Sequence, residues 1–301
     1  MITCVGPIFL DRVIKIDRFP EKPIKLIANG LEKRLGGPAP VASFAIKFLG
    51  GDAEFVGRFG SDDAADFLKS EFLESGIPIE KSIIVEEAQT SQSHIFEDSL
   101  GERMLATFNE KKLTNETSLP GFNFSGNQSY LVDTNWIEAA HFVSIQSNKH
   151  QINCVVDLDN FSNSNLVDEV VNSASHPIFS EIGLNRYMEN MPIIDALRSL
   201  YQKNKKFYAV TLGDRGVYWI ENGNVFHCEP PKIEAKETNG AGDVFHGAFA
   251  KFIETKTSQE AIELATACAT LKCTRIGGIK TLPNNKEVIE FSKQIKPSKP
   301  I

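Results

Sequence analysis

The chain has no long apolar run and no excess of positive charge, and both absences limit its function. No uninterrupted stretch reaches the roughly twenty apolar residues that a membrane-spanning helix needs. The first residues lack a basic lead and Asp11 interrupts their apolar run, so we expect no signal peptide. A formal net charge of −7 without a lysine or arginine cluster argues against nucleic-acid binding. We therefore predict a cytoplasmic protein with neither a membrane nor a nucleic-acid partner.

Cysteine is scarce and scattered, which argues against a zinc site and against a disulfide framework. The chain contains five cysteines, Cys4, Cys154, Cys228, Cys268 and Cys273. They form no C-x-x-C pair, and none lies beside a histidine at the spacing of metal ligands. We expect buried free thiols in a reducing compartment.

Strand-like and helix-like segments alternate along most of the chain. The runs "NCVVDLD", "HPIFSE" and "KKFYAVTLG" have the composition of strands, whereas "PAPVASFAIKFLG", "DDAADFLKSEFLESG" and "MPIIDALRSLYQK" have the apolar spacing of helices. This alternation predicts an α/β fold with a doubly wound, mostly parallel sheet flanked by helices. We predict one domain over residues 1–301, with ligands bound at the carboxyl ends of the strands.

Two segments, residues 12–35 and 90–108, break this alternation. Each contains short strand-like runs and turns, and neither is followed at once by a helix. The two segments could pair into a small sheet that serves as a lid beside the main domain. Two separate surface hairpins would explain the same residues.

The run "NGAGDVFHGAF" places four small or acidic residues, Gly240, Ala241, Gly242 and Asp243, before an apolar helix. The helix is predicted from apolar residues at helical spacing, Val244, Phe245, Ala248, Phe249, Phe252 and Ile253. Bare amides at the start of a helix, together with the positive end of its dipole, attract an anion. In the alternative, Asn239 caps the helix and Asp243 only complements the dipole.

Three further stretches carry residues that could serve a ligand. Gly36 and Gly37 precede a helix in which Pro38 suits the first turn, and a glycine pair permits close approach to the backbone. The run "VTLGDRGVYWI" is a strand, a glycine-containing turn and a second strand. In "IFSEIGLNRYM", a strand ends in Ser180 and Glu181, where a carboxylate could face a metal–phosphate complex or solvent. A simple turn or hairpin explains each stretch locally.

In their order along the chain, these stretches resemble the ribokinase (PfkB-type) family of ATP-dependent sugar kinases. The family signature D-T-x-G-A-G-D before an apolar helix is similar to "ETNGAGD" at residues 237–243. The family's Gly-Gly pair, which enters a helix ending in Leu-Gly, is similar to residues 36–50. "VGRFGSDDAADFL", "DSLGERML" and "VTLGDRGVYW" resemble further family segments, the second of them a lid turn.

The resemblance implies a phosphotransferase that uses ATP with Mg²⁺ and an alcohol group as acceptor. Asp243 would be the general base, and the amides of residues 240–243 would form an anion hole. Sugar-binding positions are matched by Asp11, Gly36 and Gly37, and nucleotide-binding positions by Thr211, Gly213 and Gly216. Residues 12–35 and 90–108 would be the lid, whose closure excludes water. In many relatives the loop at this position holds a monovalent cation such as K⁺, so such a cation is possible here, although Glu237 in place of the family's aspartate could move the loop.

The chain departs from the family pattern at four positions. Val41 replaces an asparagine that often binds sugar hydroxyls, and a valine side chain cannot hydrogen-bond. Glu237 replaces the first aspartate of the signature, and Ala65 replaces a glycine. The family's N-x-x-E element aligns with residues 180–183, where its last glutamate is absent, and Glu181 could substitute for it as a Mg²⁺ ligand.

The pairing of "GGPAPVA" with "NGAGDVFHGAF" looks most like the sulfofructose-kinase-like branch of the family, whose members also lack that asparagine. A sulfonated or phosphorylated sugar needs a cation in its site. The candidates by residue type are Arg58, Lys111 and Arg103, the last of which falls in the predicted lid turn. A solvated surface arginine is the alternative for Arg103.

Two other functions fit the same resemblance. A nucleotide- or sugar-sensing protein on a kinase fold would explain the altered metal element, although it would not need Asp243. A nucleoside kinase would need stacking surfaces, for which Phe96, Phe108 and Trp136 are candidates. Exposed strand edges in the lid would also permit a homodimer, while a self-contained lid would leave a monomer.

Overall fold

A computed structural model describes residues 1–125, 128–161 and 165–301. Its strands, in chain order, are β1 Ile2–Val5, β2 Phe9–Lys15, β3 Gly30–Gly36, β4 Ala53–Val56, β5 Arg58–Phe59, β6 Ile83–Ile84, β7 Gln92–Glu97, β8 Arg103–Phe108, β9 Ser129–Asp133, β10 Cys154–Leu158, β11 His176–Ser180, β12 Tyr208–Thr211, β13 Val217–Glu221, β14 Asn224–Cys228 and β15 Lys299–Pro300.

The helices are α1 Pro38–Phe48, α2 Asp63–Ser75, α3 Lys111–Thr114, α4 Ile137–Lys149, α5 Asn165–Ser173, α6 Glu181–Tyr187, α7 Ile193–Asn204, α8 Ala241–Phe252, α9 Ser258–Cys273 and α10 Asn285–Ser292. Short 3₁₀ turns lie at Thr134–Trp136, Gly213–Arg215 and Gly278–Thr281. Local chemistry sets several of these boundaries. The Asp62 side chain accepts a hydrogen bond from the Ala65 amide at the start of α2, and Gly76 ends that helix with a left-handed φ of 62°.

A large sheet runs through the middle of the molecule, in the order β15-β14-β13-β12-β11-β10-β9-β1-β4. Strands β4, β1, β9, β10, β11 and β12 are parallel to one another, so their carboxyl ends meet along one edge. Strands β13, β14 and β15 extend the sheet in antiparallel fashion. This edge is where the sequence predicts ligand binding.

Helices cover both faces of the large sheet and form two apolar cores. Helices α1, α2, α8 and α9 pack on one face, around buried residues such as Phe44, Phe72 and Phe249. Helices α4, α5, α6 and α7 pack on the other face, around Trp136, Val170 and Leu197. The prediction of a doubly wound α/β fold is confirmed.

A small sheet stands beside the main body in the order β3-β2-β7-β8 and joins the two segments that break the alternation. Its central pair, β2 and β7, is parallel, and its outer pairs are antiparallel. Strand β2 begins at Phe9, earlier than predicted. The run "ITCVGPIFL", which has the composition of a single strand, is divided at Gly6 and Pro7, so its halves lie in different sheets.

All five cysteines are free and buried, as expected from their scatter. Burial raises the pKa of each thiol, to about 11 for Cys154 and Cys228 and to about 12 for Cys268. In the part of the chain that the structure describes, no helix combines the length and apolar character needed to cross a bilayer.

Candidate active site

Helix α8 begins without a side-chain cap. Gly240 is the N-cap residue with a left-handed φ of 74°, and no side chain accepts a hydrogen bond from the first turn, so Asn239 does not cap the helix. The Ala241 amide donates to the Thr238 carbonyl at 3.2 Å and is not available to a ligand. Among the described residues, the amides of Gly240, Gly242 and Asp243 have no partner. The predicted anion hole therefore consists of three amides rather than four.

Asp243 lies in the first turn of α8 and faces other acidic groups. Burial raises its pKa to about 7, and the nearby carboxylate of Asp157 adds to the effect. Such a carboxyl group exchanges its proton near neutral pH, which suits a general base. Its role as a mere complement to the helix dipole would not require this environment.

Asp157 and Asp133 lie beneath Asp243 at the carboxyl edge of the sheet, as partners in register on β10 and β9. Both are buried, and Asp133 Oδ2 has no hydrogen-bond partner in the described residues. The His246 Nδ1 atom lies 2.8 Å from the Gly242 carbonyl and 3.5 Å from Asp157 Oδ2. Sequence reasoning missed these residues, although the carboxylates within "VVDLD" and "LVD" were a usable signal for the two aspartates.

Asp11 extends from β2 toward the same site. Burial raises its pKa to about 7, and the charge of Asp243 adds to the effect, while Ser93 and Arg34 oppose it. A Cβ atom on Gly36 would lie only 2.3 Å from an Asp11 carboxylate oxygen. Gly36 is therefore required by the position of Asp11, and not only by the approach of a ligand.

Gly37 has a different requirement. Its φ is 106°, and a Cβ atom there would lie 2.6 Å from the Pro7 carbonyl oxygen. The glycine pair thus permits a tight junction between β3 and the start of α1, with Pro38 at the first position of the helix.

Glu237 is the centre of an ionic cluster behind the α8 N-terminus. Its carboxylate accepts hydrogen bonds from Arg34 Nη1 at 2.9 Å and from the amides of Gly277 and Gly278, each at 3.2 Å. Lys272 Nζ lies 3.4 Å from Glu237 Oε1. Burial alone would raise the pKa of Glu237, but the Gly277 amide, Lys272 and Arg34 together lower it. The extra methylene of glutamate, relative to aspartate, allows one side chain to reach all four donors.

These residues enclose a cavity of about 100 Å³. The sequence predicted five of its lining residues, Asp11, Gly36, Gly37, Gly240 and Asp243. It missed Arg34 and Lys272, whose partners are distant in the chain. Val41 also lines the cavity, so the departure from the family's asparagine leaves an apolar wall there.

The predicted nucleotide residues lie together at the same edge of the sheet. Thr211 ends β12 and pairs in register with Ser180, which ends β11 and caps α6. Gly213 and Gly216 have left-handed φ values of 62° and 85°. A Cβ atom on Gly216 would lie 2.0 Å from the Cys228 carbonyl oxygen, so packing against β14 requires this glycine.

Glu181 follows Ser180 as the first residue of α6, and Arg215 donates a hydrogen bond to its carboxylate. The predicted metal ligand is thus paired with a guanidinium group. Asp159, beyond the end of β10, is the exposed carboxylate near Asp243 and contributes to its raised pKa.

The predicted cationic clamp is not brought to the cavity. Arg103 is ion-paired with Glu97 on the neighbouring strand at 3.7 Å. The register pair of Arg103 and Glu97 lies four residues along β7 from the register pair of Ser93 and Asp11. The two pairs are therefore about 13 Å apart. The Arg58 guanidinium is buried over the Trp136 ring, 4.3 Å from its centroid, and Lys111 is exposed at the start of α3. Arg34 is instead the arginine that lines the cavity.

A larger cavity of about 360 Å³ lies between α5 and α6. The described residues around it, which include Phe161, Asp168 and Arg186, contain none of the predicted site residues. The smaller cavity, which the predicted residues line, is therefore the candidate active site.

The sequence profile described as "pfkB family carbohydrate kinase" matches residues 1–285. The chain belongs to this family. Proteins similar to it include Fructokinase-1 of Zea mays, 25% identical with 97% of each chain covered, and Ribokinase of Dictyostelium discoideum, 23% identical with 95% of this chain and 98% of the relative covered. The solved ribokinase of Arabidopsis thaliana, complexed with ribose and ATP, has a TM-score of 0.82 at 21% identity, covering 97% of this chain and 98% of its own. Membership of the pfkB family makes the protein a carbohydrate kinase, which transfers phosphate to a hydroxyl.

Proposed function

We propose that the protein phosphorylates a hydroxyl of a small sugar or sugar-like alcohol with ATP, in the cavity between Asp11 and Asp243. The observation that carries this proposal is the position of Asp243. Its carboxylate lies in the first turn of α8, beside unpartnered amides, and lines a cavity that Asp11 enters from the small sheet. A base and an anion hole thus adjoin one acceptor site.

In this mechanism Asp243 accepts the proton of the acceptor's hydroxyl group while the oxygen atom of that hydroxyl attacks the γ-phosphorus of ATP. A new oxygen–phosphorus bond forms while the bond to the ADP leaving oxygen breaks. The amides of Gly240, Gly242 and Asp243 stabilise the charge on the transferring phosphoryl group, as positioning and electrostatics dominate this reaction. Asp11 accepts hydrogen bonds from other hydroxyls of the acceptor.

The lining of the cavity favours a sugar over a nucleoside. Of the described residues that line it, none is aromatic, so a nucleobase would find no stacking surface. Trp136 is buried beneath Arg58, and Phe96 lies on the small sheet. The volume of about 100 Å³ suits a small acceptor, and Val41 provides an apolar wall beside it.

ATP would bind at the adjacent strand ends, where Thr211, Gly213 and Gly216 lie. The solved Arabidopsis relative is complexed with ATP. In this chain, the start of α8 would receive the γ-phosphate from the side of these strands.

Mg²⁺ fits this site through few protein ligands. Among the described residues, no group of three histidine, cysteine or acidic residues is arranged to hold a metal. Mg²⁺ is commonly held by one or two carboxylates together with substrate phosphates. Asp159 is exposed near Asp243, and Glu181 follows the neighbouring strand β11 and is paired with Arg215, so these two carboxylates would hold the ion. When bound, the ion neutralises charge on the phosphates.

A second copy of the chain would cover the small sheet and form a homodimer. One row of register partners, Leu31, Ile14, Phe96 and Met104, crosses all four strands on the side opposite Asp11. Its outer members, Leu31 and Met104, are 65% and 55% exposed. Exposed apolar side chains next to free strand edges favour pairing with another sheet.

The proposal is tested by ADP release from the wild type and Asp243→Asn, with ATP and Mg²⁺, over a panel of sugars, sulfosugars, sugar phosphates and nucleosides. We expect one sugar-like acceptor to stimulate turnover, and the variant to lose about 100- to 10,000-fold of it while still binding nucleotide. Stimulation by nucleosides alone would contradict the choice of acceptor. Equal turnover by both proteins would contradict the role of Asp243.

A further inference from the structure

Lys272 is a buried lysine whose ammonium group is surrounded by oxygen atoms of one loop. Its Nζ atom donates to the Glu237 carbonyl at 3.1 Å and to the Asn239 carbonyl, and it lies 3.4 Å from Glu237 Oε1. The side chain is only 2% exposed. A buried ammonium group needs such partners, because burial without them is costly.

The three oxygen atoms around Lys272 Nζ, which we call the oxygen cage, belong to the loop that directly precedes the anion hole in the chain. The loop from Glu237 to Asn239 leads into Gly240, the N-cap residue of α8. Lys272 lines the same cavity as Asp243, and its charge lowers the pKa of that carboxyl against the larger effect of burial. A fixed positive charge at this point therefore acts on both the loop and the reacting groups.

The carboxylate of Glu237, which forms part of the oxygen cage, accepts further hydrogen bonds from other groups of this chain. The second carboxylate oxygen of Glu237 accepts from Arg34 and Gly277, while the first also accepts from the Gly278 amide. Both glycines have left-handed φ values, 130° and 57°, which aim consecutive amides at one carboxylate. Two cationic side chains thus occupy the surroundings of the loop, where a free cation would be repelled.

We propose that the Lys272 ammonium permanently replaces the free monovalent cation that the family resemblance implies for this loop. The inference rests on the proposed kinase function. Lys272 is a positioning residue, since it holds the Glu237–Asn239 carbonyls and thereby the amides of the next turn. The K⁺ site predicted from the resemblance does not fit these residues, and the enzyme works without potassium.

Lys206 supplies a matched control on the far side of the molecule. Its ammonium group is likewise held by three oxygen atoms, in this case the backbone carbonyls of Val171, Asn172 and Ala174, at 2.6–2.8 Å. Removing either lysine leaves a cage of unpaired carbonyls, but only the cage at Lys272 adjoins the cavity.

The experiment measures kinase activity and melting temperature in tetramethylammonium chloride, then with K⁺ or NH₄⁺ at constant ionic strength. Wild-type activity is expected to be independent of K⁺. Lys272→Ala should lose about 100-fold of its activity, comparable to the loss of an anion-hole donor, and K⁺ or NH₄⁺ should restore part of it and raise its melting temperature. Lys272→Met, which fills the space, should lose activity without rescue. Lys206→Ala should keep its kinase activity, and that activity should not depend on K⁺.

Activation of the wild type by K⁺ would overturn the inference, as would full activity of Lys272→Met. If Lys272→Ala does not fold, the inference is still tested by the response of wild-type activity to K⁺ and by the activity of the volume-conserving Lys272→Met variant. If no acceptor stimulates the wild type, the proposed function fails. The melting response of wild type and Lys272→Ala to K⁺ then decides separately whether the ammonium group fills a cation site.

Discussion

At the residue scale, the raised pKa of Asp243 makes activity depend on pH near neutrality. The pKa is about 7, above the ordinary range of aspartate, because burial and Asp157 disfavour the charged form. A general base must be deprotonated, so kcat/KM should fall as pH decreases below about 7. A pH profile of kcat/KM in the wild type measures this. A flat profile down to pH 5 would show that another group takes the proton.

Arg34 and Arg103 provide a comparison of two arginines on the small sheet. Arg34 lines the cavity and bonds to Glu237, whereas Arg103 is paired with Glu97 away from it. We expect Arg34→Gln to raise KM for the acceptor and to lower kcat, because it loses a charged partner worth about 1.5–3 kcal/mol. Arg103→Gln should have the smaller effect on both constants. Steady-state kinetics of both variants decide, and a larger effect at Arg103 would support its original assignment.

Sequence could predict some residues of the site and not others for a physical reason. Asp243, Gly240 and Gly242 are neighbours in one motif, so their chemistry is local. The ion pair between Arg34 and Glu237 joins residues 203 positions apart, and Lys272 reaches its carbonyls from another helix. A lone lysine on the small-residue helix "LATACATLKC" was the only local sign of the second contact.

At the scale of single elements, the start of α8 separates two roles of glycine. Gly240 has a φ of 74°, whereas Gly242 has ordinary helical backbone and open space around a Cβ atom. Gly240→Ala should lower the free energy of unfolding by about 1–2 kcal/mol. Gly242→Ala should raise it by up to about 1 kcal/mol, yet weaken nucleotide affinity by hindering phosphate approach. Denaturant unfolding and nucleotide titration check both. Equal destabilisation by the two changes would contradict this distinction.

Elements with local signals were predicted well, and strand partners were not. The acidic start and glycine end of "DDAADFLKSEFLESG" specify α2, and apolar spacing specifies α8. The parallel pairing of β2 with β7 depends on contacts between segments about 80 residues apart, which no local pattern encodes. The break between β1 and β2 follows from Gly6 and Pro7, whose turn-forming tendency outweighs the β-rich residues on either side.

At the scale of the whole molecule, four buried or half-buried carboxyl groups should make stability fall as pH rises. The pKa values of Asp11, Asp157 and Asp243 are raised to about 7, and that of Asp133 is raised well above its ordinary value, chiefly by burial. These four groups therefore bind more protons in the folded than in the unfolded state between about pH 4 and 7, and their contribution to stability decreases through that range.

Asp133→Asn tests this reasoning outside the reacting groups. The variant removes one buried carboxyl group while keeping its shape, so it should melt at a higher temperature than the wild type at pH 8 and at a similar temperature at pH 5. Thermal unfolding at the two pH values measures the difference. A lower melting temperature for the variant at pH 8 would mean that the ionised Asp133 is stabilising.

The homodimer is tested through the exposed row of the small sheet. Met104→Glu places a charge in the row of Leu31, Ile14 and Phe96, and should convert a dimer into a monomer. Light scattering coupled to size-exclusion chromatography gives the molar mass of both proteins. A wild-type monomer at micromolar concentration would contradict this assembly.

Because the five thiols are buried, their rates of reaction with a thiol reagent report how often the surrounding structure opens. Cys4 and Cys154 lie on central strands and would react with a thiol reagent only when the large sheet comes apart. Cys273 ends α9, and its carbonyl accepts hydrogen bonds from the Lys236 and Glu237 amides, so its sulfur becomes reachable when this corner loosens. The labelling rate of Cys273 relative to Cys4 would therefore show how tightly the catalytic corner is closed, with and without substrate, in the unmodified protein.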